Sequence, residues 1–215
     1  MDDGDRLGDY RAKRDFGATS EPRGGASDAP VAAPRFVVQQ HDASRLHWDL
    51  RLERDGTLAS WALPRGVPLD PRDDRPAIRT EDHPLEYLTF HGEIPAGSYG
   101  AGTMEIFDAG TYELHEWTDR KKVEVTLHGE RFGGRYGLFP IGRKPAAGEE
   151  RVEAGEPWMI HRLDPPQDPA REPLPPHMAP MLARSEADGV VGGDGDDDRW
   201  GYEVKWDGIR ALLWS

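Results

Sequence analysis

An all-β fold, a compact closed or nearly closed barrel of about eight strands, is the class this 215-residue sequence predicts. Three observations carry it. Apolar and polar residues alternate with a period of two in the segments between Arg35 and Leu163. Turn residues, from a pool of 25 Gly and 19 Pro, punctuate those segments at close spacing. Helix signals are weak throughout, and closing the sheet on itself removes exposed edges.

The elements follow in order. Residues 1–34 are polar and rich in Gly, Ala and Asp, an N-terminal arm whose aromatic-basic stretch YRAKRDFGATSEP (10–22) is expected to be ordered on the core. RFVVQQ opens the barrel, DASR turns the chain, and LHWDLRLE returns. There Leu46, Trp48, Leu50 and Leu52 fall on one side and His47, Asp49, Arg51 and Glu53 on the other. RDGT carries the Asp-Gly pair of a tight hairpin. TLASWALP runs back until Pro64 stops it. PAIRT, YLTFHG, TMEIFDAGTYELHEW, KKVEVTLHG, RYGLFPIG and WMIHRL read as further strands, giving eight to ten in a domain spanning 35–163. Residues 164–199 form a proline-rich and then acidic, glycine-rich linker. Order is expected to resume in 200–215, WGYEVKWDGIRALLWS.

Composition excludes several chemistries. Cysteine is absent, which removes disulfides, thiolate metal sites and cysteine nucleophiles, and agrees with a reducing cytoplasm. No apolar run reaches the length of a membrane span, and the first residues lack the apolar core of a signal peptide. The net charge of −13 is uneven: residues 164–215 hold eleven acids against five Arg and Lys, so −6 of it lies outside the barrel. Phosphate binding needs only a local basic patch, so the total decides nothing.

The stretch QQHDASRLHWDLRLE carries the chemistry. A hairpin turn brings His41 and His47 together, and Asp49 shares a face with His47. Two imidazoles and a carboxylate make a three-ligand site with open positions, suited to Mn²⁺, Zn²⁺ or Fe²⁺. Arg51, next on that face, can grip a phosphate bidentately. A polar, solvent-facing strand side is the ordinary alternative, weakened by the concentration of ligand types on one face. In RPAIRTEDHPLEY, Arg75, His83 and Tyr87 offer a cation, a proton donor and a hydroxyl, as phosphoryl transfer requires; a polar loop with a core tyrosine would look the same. IPAGSYGAG lacks the Lys-Ser/Thr of a P-loop and reads as a tight turn. His91, His115, His128, His161 and His177 have no partners at ligand spacing.

YRAKRDF, TSEP, FVVQQHDASRLHWDLRLE, SWALPRG, EDHPLEY and IPAGSYGAGTMEIFD, in this order, resemble the 3′-phosphoesterase module of bacterial and archaeal DNA ligase D, over about Tyr10 to Leu163. The resemblance implies a β-barrel with a crescent-shaped polar site and manganese-dependent end processing. That activity removes a 3′-terminal ribonucleoside and then the 3′-phosphate left behind. It implies metal ligation by His41, His47 and Asp49, and phosphate contact or catalysis by Arg51, His83, Tyr87 and Arg75. Arg14, Asp15, Glu21 and Glu81 match positions needed for activity. Arg65, at an implied phosphate-binding position, stands where relatives often carry lysine; the charge is kept, but an arginine fork reaches differently from an ammonium. His83 is either a general acid or part of the oxyanion grip. The implied partners are DNA 3′ ends, Ku, a ligase and a polymerase, for a monomer in the cytoplasm, associated with the nucleoid.

The tail resembles a different family. MAPMLA followed by YEVKWDGIR is similar to the start of an ATP-dependent DNA ligase domain, with Lys205 at the AMP-accepting position and Asp207, Gly208 and Arg210 completing the motif. With five residues after Arg210, the expectation is a remnant that neither uses ATP nor becomes adenylated. Two rival readings stand beside the enzyme. One is a fragment of an ATP-dependent ligase, which nick sealing would reveal. The other is a non-catalytic DNA-end-binding module, which would bind ends without hydrolysis.

Overall fold

β1 (Arg35–Asp42) and β2 (Leu46–Arg54) form the hairpin from which the fold is best followed, in a computed structural model that describes residues 5–25, 33–141 and 155–170. β3 (Thr57–Leu63), β4 (Arg75–Arg79), β5 (Gly92–Ile94), β6 (Gly102–Thr118), β7 (Lys122–Gly129), β8 (Gly133–Pro140) and β9 (Glu156–Arg162) follow. Hydrogen bonding runs β1-β2-β3-β4-β9-β8-β7-β6, and β6 pairs back onto β1, closing an eight-strand antiparallel barrel. β5 adds to β6 outside the ring, at Gly92↔Met104 to Ile94↔Gly102. The helical pieces are short: α1 (Gly8–Ala12) in the arm and a 3₁₀ turn at Leu85–Leu88. No helix among the described residues is long and apolar enough to cross a membrane.

Sequence dictates the turns. Asp55 and Gly56 both take positive φ (48° and 77°), the mirror-image turn that Asp-Gly favours between right-twisted strands. YLTFHG, expected as a strand, is instead the 3₁₀ turn followed by a loop, and pairing begins only at Gly92. Its backbone is anchored from another side, since the Gln39 side-chain amide donates to the Tyr87 carbonyl (3.0 Å) and the Phe90 carbonyl (2.8 Å).

Alternation sends one face of β1–β3 inward. Phe36, Val38, Leu50, Leu52, Ala59, Trp61 and Leu63 join residues of β4 and β7–β9 in the barrel core. Each fully buried aliphatic side chain there contributes about 1.5–3 kcal/mol relative to exposure. The outer face is covered as well. Leu7 and Tyr10 of the arm, Tyr87 and Leu88 of the 3₁₀ turn, Ile94 and Met104 pack over Val37 and Leu58 in a second apolar cluster. Asp49, Arg51 and Glu53 therefore point away from the barrel core yet are buried. Residues 171–215, with the expected linker and the Lys205, Asp207, Gly208 and Arg210 motif, lie outside the described residues.

Candidate metal centre

β1 and β2 pair so that His41 lies directly opposite His47 and Gln39 opposite Asp49. The two imidazole rings sit 4.7 Å apart, centroid to centroid. One donor atom from each of His41, His47 and Asp49 lies within 4.8 Å of the others. The tautomers are set by the backbone. The His41 Nε2–H donates to the Gly100 carbonyl (3.0 Å), and the His47 Nδ1–H donates to the Arg45 carbonyl (2.9 Å). That leaves His41 Nδ1 and His47 Nε2 as lone pairs. They face the two oxygens of Asp49 at 3.7 and 3.8 Å. Two oriented imidazole lone pairs and one carboxylate form a donor set that fits a divalent ion, with outer hydrogen bonds fixing each ring as in protein metal sites.

Burial alone would raise the Asp49 pKa, but the positive charge of Arg51 beside it outweighs burial and holds the carboxyl below its usual range. Arg51 is itself buried. Its Nη2 donates to Asp49 Oδ2 (3.0 Å) and its Nε to Gln39 Oε1 (2.7 Å), while its plane rests 4.7 Å from the Tyr87 ring centroid. Nη1 has no acceptor among the described residues, and Arg51 lines a cleft of about 230 Å³ shared with His41, His47, Asp49 and His83.

The glycine-rich loop positions the centre rather than cradling a phosphate. Gly100 supplies the carbonyl that orients His41. Gly102 has φ +147°, and a β-carbon there would stand 2.4 Å from the Asp42 carbonyl oxygen, so only glycine lets β6 approach the β1–β2 turn this closely.

The arm completes the far wall. Arg14, with 4% of its side chain exposed, donates from Nε to Glu21 Oε1 (2.6 Å) and from Nη1 to Glu81 Oε1 (3.0 Å). It also stacks 3.9 Å from the Tyr10 ring centroid. Lys13 holds the other Glu81 oxygen at 3.0 Å. The Tyr87 hydroxyl donates to Glu21, and burial keeps that hydroxyl well above the ordinary tyrosine range despite nearby Arg51. His83 bridges to Leu58 through two backbone hydrogen bonds, 2.8 and 2.9 Å, where Pro84 keeps the chain extended. Its Nδ1–H donates to the Glu81 carbonyl (2.9 Å), so Nε2 carries the lone pair, 3.4 Å from Arg14 Nη2. Burial, then Arg51 and Arg14, push the His83 pKa well below its usual value, so the ring is neutral at pH 7.

The structure thus gathers His41, His47, Asp49, Arg51, His83, Tyr87, Glu81, Arg14 and Glu21. It does not bring in the rest. Arg75 is engaged by Asp73 and by the Arg65 and Val67 carbonyls; exposed Arg65 lies 3.8 Å from Asp73. Neither lines the cleft. Asp15 is an exposed turn-former accepting from the Gly17 N–H at 2.9 Å. His115, His128 and His161 contact Thr126, Glu113 and Asp74 at the surface. Gln39 is not among the site residues the sequence singles out, and Tyr10 enters there only within the arm stretch expected to be ordered on the core. Gln39 sits on the ligand face two residues before His41, a period-two signal that could have revealed it.

The multifunctional non-homologous end joining protein LigD of Mycolicibacterium smegmatis is 40% identical over 97% of this chain, and the DNA repair protein of the same name from Mycobacterium tuberculosis is 42% identical over 97%. The Pseudomonas aeruginosa protein is 34% identical over 96%. The chain spans about a quarter of the length of these relatives, 26% to 28%. A family model described as the DNA ligase D 3′-phosphoesterase domain matches residues 39–140, which include every donor of the centre. Through those residues the chain belongs to the DNA ligase D 3′-phosphoesterase domain family.

Proposed function

We propose that this domain is a manganese-dependent 3′-end-processing phosphoesterase of non-homologous end joining. It removes a 3′-terminal ribonucleoside by phosphodiester cleavage and then the remaining 3′-phosphate, giving a hydroxyl that a ligase can seal. The observation that carries the reading is the pair of oriented imidazole lone pairs facing the Asp49 carboxylate beside a guanidinium with an open edge. The relatives' names supply the end-joining context. Manganese comes from the family resemblance, and the same donors also suit zinc.

His41 Nδ1, His47 Nε2 and Asp49 would hold the ion, which supplies neutralisation of charge at a phosphate oxygen. Arg51 grips a second phosphate oxygen with its free Nη1 edge. It is held rigid by Gln39, Asp49 and the Tyr87 ring, which limits reorganisation during the reaction. His83 Nε2 stands as a neutral proton acceptor. It becomes a donor only after taking up a proton, which the negative charge of a bound phosphate favours. Tyr87, Glu21, Arg14 and Glu81 position Arg51 and His83. Arg75 and Arg65 reach a phosphate only by leaving their present partners. The protein acts as a monomer on DNA ends in the cytoplasm, with Ku, polymerase and ligase as partners.

Incubating a primer-template ending in one ribonucleotide with Mn²⁺ should yield first a 3′-phosphate and then a 3′-hydroxyl strand on a sequencing gel. EDTA or His47→Ala should stop both steps. Undiminished turnover under either condition would refute the assignment.

A further inference from the structure

IPAGSYGAG, a tight turn by sequence, supports the metal centre through its backbone, and one side chain of it, Tyr99, has no part in that support. Gly97 and Gly100 take positive φ (90° and 76°). Two successive turns fold the loop, with the Ser98 N–H donating to the Pro95 carbonyl (3.1 Å) and the Ala101 N–H to the Ser98 carbonyl (3.2 Å). The Gly100 carbonyl is fixed in turn by the His41 Nε2–H (3.0 Å). Tyr99 thus stands on a well-held backbone, one residue from the group that orients a metal ligand.

Of the side chains lining the metal cleft, Tyr99 alone is exposed, at 49%, whereas the rings of His41, His83 and Tyr87 are buried. The arm braces it: Lys13 Nζ lies 4.8 Å from the ring centroid and 3.4 Å from the hydroxyl, and the Arg14 guanidinium lies 5.4 Å from the centroid. A single exposed aromatic residue is ordinary on a protein surface, but its position here is not. The cleft holds about 230 Å³. That has room for an ion and a phosphate group, yet it falls below the roughly 300–1,000 Å³ that enclose a drug-sized ligand. A nucleoside attached to a phosphate at the centre must therefore lie at the mouth, and Tyr99 is the exposed ring it meets there. Every base has a π-face that can stack on such a ring, whatever its sequence.

We propose that Tyr99 is a substrate-binding residue that stacks on the base of the nucleotide whose 3′-oxygen carries the scissile phosphate. The inference rests on the function proposed above. That nucleotide is common to ribonucleoside removal and phosphate removal, so both steps depend on the ring. The test crosses one substitution with one change of substrate. The full chain and its Tyr99→Leu variant receive, with Mn²⁺, primer-templates in which the phosphate-bearing nucleotide has adenine or no base, ending in a 3′-phosphate or in one ribonucleotide. For the parent chain, loss of the base raises KM about tenfold or more in both steps. For Tyr99→Leu the base makes no difference, and Tyr99→Phe restores its effect. Tyr99→Ser takes the place of Tyr99→Leu if the latter melts early. A base effect that survives in Tyr99→Leu overturns the proposal, because the ring then serves only the loop and His41. A base effect confined to ribonucleoside removal also overturns it, since the contact then lies with the departing nucleoside. Should the parent chain cleave neither end, the phosphoesterase reading fails, and the fluorescence of 2-aminopurine deoxyriboside 3′-monophosphate, titrated with the chain in EDTA, decides this inference separately. Quenching by the parent that Tyr99→Leu abolishes supports the contact; no quenching, or equal quenching by both chains, overturns it.

Discussion

Replacing Arg14 with methionine would remove the charge that joins the N-terminal arm to the cleft while keeping much of the side-chain volume. Arg14 contributes ion pairs to Glu21 at 2.6 Å and Glu81 at 3.0 Å, with the carboxylate side chains 0% and 2% exposed. Removing one partner from a buried charge pair costs about 3–5 kcal/mol, chiefly because the survivor stays desolvated. Here both survivors keep a partner: Lys13 remains on Glu81, and Thr19 Oγ1 (3.0 Å) and the Tyr87 hydroxyl remain on Glu21. The loss should therefore fall near the lower end, about 3 kcal/mol. It should appear first as release of residues 5–25, whose attachment also depends on Leu7 and Tyr10. The barrel core does not include them. Urea unfolding combined with amide exchange reads both effects. Exchange in residues 5–25 should rise by two orders of magnitude or more, since about 1.4 kcal/mol is tenfold. Unchanged arm protection, with stability within about 0.5 kcal/mol of the parent as for an ordinary surface substitution, would refute the claim that Arg14 holds the arm.

Three further outcomes follow from the same geometry. Gly102→Ala places a β-carbon 2.4 Å from the Asp42 carbonyl oxygen, so it should cost about 1–3 kcal/mol in thermal unfolding and weaken metal binding, whereas Gly56→Ala, with open space around it, should leave metal binding intact. The metal-free protein should lose stability as pH falls below about 6.5, because His83 then takes up a proton when unfolded but is held neutral by burial when folded; the slope from this group reaches at most about 1.4 kcal/mol per pH unit, and His83→Gln should remove that share in urea titrations. Above that pH the ring is neutral in both states and contributes no slope. Arg51→Lys should keep the charge beside Asp49 but lose the fork held by Gln39, lowering kcat more than it raises KM; equal effects on both would point to a simple binding role.

The barrel and its hairpins were legible because period two and turn chemistry act locally. LHWDLRLE declared two faces, and Asp-Gly at 55–56 declared its turn. Which face turns inward was not declared, since the arm buries the outer face as thoroughly as the barrel buries the inner one. YLTFHG misled for a related reason. Its apolar residues serve the outer cluster as a 3₁₀ turn tied down by Gln39, a contact between positions about fifty residues apart. The pairing of His41 with His47 was visible, being a matter of one turn. The carbonyls of Arg45 and Gly100 that select their tautomers were not, because nothing in a backbone carbonyl's residue type reveals where it points. Arg75 shows the converse, a residue matched by family position whose guanidinium is occupied by Asp73 and neighbouring carbonyls.

Isothermal titration of the metal-stripped chain with Mn²⁺ tests most directly the claim that these three side chains hold a single ion. One equivalent should bind, and Asp49→Asn or His47→Ala should weaken binding at least tenfold while the fold persists. Stoichiometric binding that survives both substitutions unchanged, or no saturable binding of Mn²⁺ or Zn²⁺ by the parent chain, would contradict it.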